Sequence, residues 1–178
     1  MNRIVDRSIG VAKLVQRTYR EIAVDPGATR EAAIVVVVVA VASGIGGAGH
    51  GFGGIFFGII GAFISWLLFT VVAWFFGKHL FGVPTTNANR ESLLRTIGYA
   101  QAPGILAIVG FIPILGGLIA FVGSIWVIVT SVFAIRQVFG MSTGRAIITA
   151  VIAGIATGII LPFIGLIFGI GFGITGVF

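Results

Sequence analysis

Residues 90–117 read RESLLRTIGYAQAPGILAIVGFIPILGG, and in this stretch a charged, cytoplasm-type segment turns into membrane. It also carries most of the polar detail of an otherwise apolar body: Arg95, Tyr99 and Gln101, then the helix breakers Pro103 and Pro113. Leu93, Leu94, Ile97 and Ala100 mark one face of a short amphipathic helix. That helix is expected to lie on the membrane surface, capped by Asn87 or Asn89, and to dive inward at Pro103. The apolar part, Ile97–Ile112, has 16 residues, about 24 Å of α-helix. A hydrocarbon core is roughly 30 Å thick, so a kinked span is expected here.

Working outward, the same apolar character fills nearly the whole chain. Of 178 residues, 58% are hydrophobic and 9% charged, with a mean hydropathy of +1.18. Soluble domains carry about 25% charged residues, so water cannot be the solvent for most of this surface. Apolar runs of spanning length recur, and an unpaired strand is forbidden in lipid. The chain therefore reads as an all-α membrane protein, a bundle of five transmembrane helices with an N-terminal amphipathic interfacial helix. The spans are placed at about 32–49, 55–76, 97–112, 118–139 and 146–164, within a transmembrane domain 32–178. A glycine-rich apolar tail, 165–178, follows Pro162 and is open between a half-helix and a sixth span.

Residues 1–31 form the cytoplasmic segment. Ile4, Val11, Val15 and Ile22 recur at helical spacing, with Arg3, Arg7, Arg17 and Arg20 mostly off that stripe. Such a helix lies in the headgroup layer or packs its stripe on the protein's own loops. Asp25-Pro26-Gly27 ends it. Ala40-Val41-Ala42 resembles a signal cleavage site, but the long acidic lead-in is unlike a typical n-region. All eleven Lys and Arg residues fall on alternate sides of the five spans, six in the N-terminal segment, three in 77–102 and two in 136–145. Basic loops stay in the cytoplasm. The chain is expected to be a multi-pass protein of the cell (plasma) membrane with a cytoplasmic N-terminus.

Chemistry is sparse. Beyond residue 31 the one carboxylate is Glu91, in a polar connection. Proton relays and cation sites in membranes use intramembrane Asp, Glu or His, so ion-coupled transport and carboxylate hydrolysis are disfavoured and no catalytic residue or metal site is assigned. Ser65, Thr70, Ser124, Thr130, Ser131 and Thr157 read as helix–helix hydrogen bonders. His50, in a glycine-rich turn, and His79, at the inner interface, are candidate axial ligands for a haem or chlorophyll. They cannot share a metal, and interfacial polar roles are favoured, so no cofactor is expected. There is no cysteine. The net charge of +6 follows from topology, and no nucleic acid is expected as a partner. Gly54-x3-Gly58, Gly154-x3-Gly158 and the set Gly165, Gly169 and Gly173 are close-approach patterns. They serve either this bundle or docking to another membrane protein or a second copy. Tyr99, Gln101, Pro103 and Arg136 form a second candidate partner site, with Gln101 and Arg136 either paired or, respectively, capping the kink and snorkelling.

Gly98-Tyr99-Ala100-Gln101-Ala102-Pro103, Ile112-Pro113-Ile114-Leu115-Gly116-Gly117, Trp126 and Arg136-Gln137-Val138-Phe139-Gly140 are together similar to the Yip-one domain family. The Ser142–Ala146 turn and the lead-in Tyr19–Pro26 fit as well. The resemblance implies five spans and a cytoplasmic N-terminus. Eukaryotic members act in vesicle trafficking with Rab-type GTPases. The N-terminal part here, residues 1–31, is much shorter than theirs, which favours a prokaryotic plasma membrane over GTPase docking. The function expected is non-enzymatic: binding or organising other membrane proteins or lipids. The alternatives are an accessory subunit of a respiratory or photosynthetic complex, and a small channel or transporter.

Overall fold

The computed structural model describes residues 3–46, 51–81, 89–112 and 114–167. Every regular element among them is helical. Two short helices, α1 (Arg3–Ala12) and α2 (Gln16–Val24), precede α3 (Ala28–Gly46) and α4 (Gly51–Phe81). Then come α5 (Arg90–Ala100), a 3-10 helix (Ala102–Phe111), α6 (Leu115–Phe139) and α7 (Thr143–Ile167). Five of these units are long and apolar enough to cross a membrane: Ala28–Ile45, Ile59–Phe81, Arg90–Gly110, Leu115–Phe139 and Thr143–Ile167. The protein is a multi-pass bundle in a lipid environment.

The N-terminal segment is two helices rather than one. Leu14 takes a left-handed conformation, φ 57°, which a non-glycine residue adopts uncommonly, and the chain folds back on itself there. The hairpin closes because Gly10 has no side chain: a Cβ there would sit 2.5 Å from Thr18 Oγ1. The apolar stripe turns onto the protein itself, burying Val11, Tyr19 and Ile22 completely. The Tyr19 hydroxyl lies within hydrogen-bond reach of the carbonyls of Val11 (3.1 Å) and Thr130 (3.3 Å). Burial pushes its pKa above the ordinary phenol value.

The third span differs most from its sequence pattern. Asn89 caps α5, its side chain accepting from Ser92 N–H at 2.6 Å. The helix is enclosed by the bundle rather than laid along its outside: Leu93 and every residue from Arg95 to Ala100 are buried, and α1, α2, α3, α4 and α6 all touch it. Arg95 fits in this interior because its polar atoms are satisfied. It donates to Thr29 Oγ1 (2.8 Å), to the Ala23 carbonyl (3.1 Å) and to Glu91 Oε2 (2.9 Å). The Ala23 carbonyl belongs to the last turn of α2, where cations and donors are favoured. Ser92 Oγ donates to the same oxygen at 2.8 Å.

At Gln101 the helix tightens into the 3-10 form, with Gly104 N–H bonding the Gln101 carbonyl at 2.8 Å. Pro103 has no N–H to donate, and since Gly104 N–H turns to Gln101 it no longer meets the Ala100 carbonyl, which accepts instead from Thr130 Oγ1 on α6 at 2.7 Å. A neighbouring helix thereby supplies the bond that a broken span needs in lipid. Of the other hydroxyls expected to bond across helices, Thr70 and Ser124 instead bond carbonyls of their own helices, as Thr149 does, because a carbonyl one turn back is always in reach.

Candidate functional site: a charged buckle over an apolar groove

The backbone placement of α1 creates two adjoining features. Helical spacing puts Arg3 and Arg7 on one face of α1 and Ile4, Val5, Ser8, Ile9 and Ala12 on another. The arginine face meets the start of α3. Glu31 Oε2 accepts from Arg7 Nη1 at 2.7 Å and from the Tyr99 hydroxyl at 2.6 Å, while Arg3 pairs with Oε1. Arg7 Nη2 reaches Asp25 Oδ2 at 2.8 Å, and Arg3 lies 3.8 Å from the same oxygen. Asp25 also accepts from Gly27 N–H at 2.9 Å. Glu31 sits in the first turn of α3, where the helix dipole favours a carboxylate. Three elements distant in sequence are thus buckled by one cluster, with Glu31 8% and Tyr99 0% exposed.

The Arg7 guanidinium holds the Asp25 carboxyl below the usual carboxylate range. Burial works to lower the Arg7 pKa, and its bonds to Asp25 and Glu31 outweigh that, so it lies above the ordinary value. The cluster is therefore a set of compensated charges.

The apolar face of α1 looks across a groove of about 620 Å³. Its far wall is Ile34, Val35, Val38 and Val39 on α3, with Ala102, Pro103, Ile105 and Leu106 of the 3-10 segment. Trp126 closes one end, its indole N–H donating to the Ala12 carbonyl at 2.8 Å. Among the described residues, Ser8 is the sole hydroxyl in the lining and no charged side chain enters it. The volume lies in the range of about 300–1,000 Å³ in which proteins hold small ligands. The groove and the buckle share a helix: Arg7 lies between Ile4 and Ser8, and Glu31 is one turn from Val35.

The candidate residues from the sequence are distributed as follows. Tyr99 is in the buckle, bonded to Glu31 rather than to Gln101. Pro103 lines the groove. Gln101 is the half-buried turn residue between α5 and the 3-10 segment. Arg136 is exposed, its guanidinium 5.7 Å from the Phe133 ring. Nothing pairs Gln101 with Arg136 among the described contacts. His79 is exposed at the end of α4, its Nδ1 2.8 Å from the Phe75 carbonyl and its ring stacked on Phe75 at 4.4 Å. Gly165 is buried in α7, while Gly169, Gly173 and His50 lie outside the described residues. No group of three or more His, Cys, Asp or Glu residues could hold a metal ion among the described residues.

The buckle was not visible in the sequence because Arg3, Arg7, Asp25 and Glu31 read as solvated charges. The one available signal was Glu31, a lone acid directly before an uninterrupted apolar run, which in lipid demands a partner.

No curated protein and no solved structure matches the chain. The family model described as the Yip1 domain matches residues 12–176, a stretch that includes the last groove residue of α1 and all of the five spanning units. The chain belongs to the Yip1 domain family of membrane proteins.

Proposed function

We propose that this protein works without catalysis, by binding another membrane component laterally on the face formed by α1, α3 and the 3-10 segment. The observation that carries this is the groove: an open, apolar, preformed concavity within the helical bundle, held in shape by a part-buried ion cluster. A body that only anchored itself in lipid would have no need of a cleft stiffened by such a cluster. Pro103 belongs to this face directly, while Tyr99 acts through Glu31 on the helix that forms it.

In this proposal the N-terminus is cytoplasmic and the membrane is the cell membrane, on the segregation of all eleven basic residues. The glycine spacing Gly165, Gly169 and Gly173 supports a further contact with a second copy or another membrane protein, Gly165 itself being packed within this chain. The test is a photo-crosslinking residue at Ile105, exposed in the groove, compared with one at Ile155, exposed on α7. A discrete adduct of defined mass is expected at position 105, against a bulk-lipid pattern at 155. The same pattern at both positions would refute lateral binding on this face.

A further inference from the structure

We infer that the groove is a binding site for one anionic phospholipid, an acyl chain lying between α1 and α3 with its phosphate against Arg30. This rests on the lateral-binding proposal above and narrows the occupant.

The lining favours a hydrocarbon chain. The α1 stripe runs from Ile4 to Ala12, eight residue steps or about 12 Å, and both walls are aliphatic along that length. An extended hydrocarbon chain matches such a trough and is the surrounding medium in a bilayer.

Apolar walls alone give no preference, because lipid tails are as apolar as the side chains they would leave. Selectivity has to arise at the headgroup. Arg30, Ile34 and Val38 share one face of α3, four residues apart, and Ile34 and Val38 are groove walls 42% and 46% exposed. Arg30 is therefore one turn beyond the apolar wall, towards the start of α3. It is exposed and has no ion-pair partner among the described residues. Arg3 and Arg7 are engaged by Asp25 and Glu31. The rim thus presents one uncommitted guanidinium, whose stem runs along apolar surface and whose fork matches a phosphate. Zwitterionic lipids would fill the same groove with less gain at that end.

The experiment uses the full chain in nanodiscs of equal phosphatidylglycerol and phosphatidylcholine, followed by detergent transfer and native mass spectrometry. One phosphatidylglycerol per protein is expected to be retained in preference. Arg30→Gln should cut that preference about fivefold, the value of one basic residue near a lipid surface. Val38→Phe, placed on an exposed wall, should reduce retention of either lipid. Brominated-chain phosphatidylglycerol should quench a fluorescence component that Trp126→Phe removes; this readout also serves if Val38→Phe fails to fold. Equal retention of both lipids, an unchanged preference in Arg30→Gln, or the absence of Trp126 quenching overturns the lipid site. A discrete protein adduct at Ile105 without headgroup preference would do so while leaving lateral binding intact. The loss of both would end both.

Discussion

Removing the Arg7 guanidinium by Arg7→Met should destabilise the protein by about 2–3 kcal/mol. Arg7 keeps 14% of its side chain exposed and Glu31 10%, so the pair sits near the buried limit. Stripping one partner from such a pair costs about 3–5 kcal/mol, because the remaining charge is left uncompensated. Arg3 stays on Glu31 and, being 62% exposed, gives partial compensation through solvent, which places the expectation at or below the lower end. For a chain of this size about 1 kcal/mol moves Tm by 2–4 °C, giving a fall of roughly 5–10 °C in detergent-solubilised protein. The assay is thermal unfolding followed by size exclusion of the surviving monomer. Its decisive arm is the double variant Arg7→Met/Glu31→Gln, which removes both charges and should recover at least about 1 kcal/mol relative to the sum of the single changes. A Tm shift under about 2 °C for Arg7→Met, or strict additivity in the double variant, would show that the cluster carries no coupling energy. The account of α1 as a buckled helix would then be wrong.

Other outcomes follow from neighbouring features. Gly10→Val should cost about 1–3 kcal/mol by overpacking, since its Cβ would meet Thr18 Oγ1 at 2.5 Å; adding Thr18→Ala should restore part of the loss of Tm. Because Asp25 is held below its unfolded pKa, its contribution is full above the unfolded value of about 3.9 and disappears as pH falls through the folded one. Asp25→Asn should therefore flatten the acid limb of a Tm-against-pH curve and leave its slope above pH 5 unchanged. Single cysteines at Ser142 and Ile114, both exposed turn residues, should label from opposite sides of sealed vesicles. Labelling of both from one side would contradict an odd number of spans between the N-terminus and Ile114 paired with one further crossing before Ser142.

The membrane-spanning character was legible because lipid imposes a simple rule, a run of apolar residues about as long as the bilayer is thick, and this chain obeys it repeatedly. The cap of α5 was legible to within two residues, Asn87 or Asn89, because an amide side chain just ahead of a helical pattern is N-cap chemistry, and Asn89 fills the position. The position of α5 was not. Glu91 and Arg95 describe a polar face that belongs in the headgroups, and what buries Arg95 is a carbonyl and a hydroxyl from Ala23 and Thr29, supplied from far upstream. The α1–α2 break was hidden too, because Lys13-Leu14 carries no turn chemistry and leucine is not a residue that favours the left-handed conformation found there. Without that break and without the 3-10 segment there is no groove, so the candidate site depended on two local conformations that propensity does not favour.

The 3-10 segment also sets a different arithmetic for its own sequence. Side chains three apart eclipse in this helix, so it is a triangular prism with three straight edges. One edge carries Gly104, Ala107 and Gly110, all half-buried. Gly104 abuts α3 and α6 so closely that a Cβ would come within 2.8 Å of Val39 Cγ1 and 3.5 Å of Val127 Cγ2. The other two edges hold the bulk: Ile105 and Ile108 on one, Leu106 and Val109 on the other. Of these, Ile105, Leu106 and Ile108 are exposed. An α-helix would wind the three small residues around its axis and spread them over different neighbours. Here they form a flush edge, so the segment's fit depends on counting by threes. One residue inserted after Gly104 would turn the prism by a third of a revolution and drive a branched side chain into the seam that glycine and alanine now keep closed.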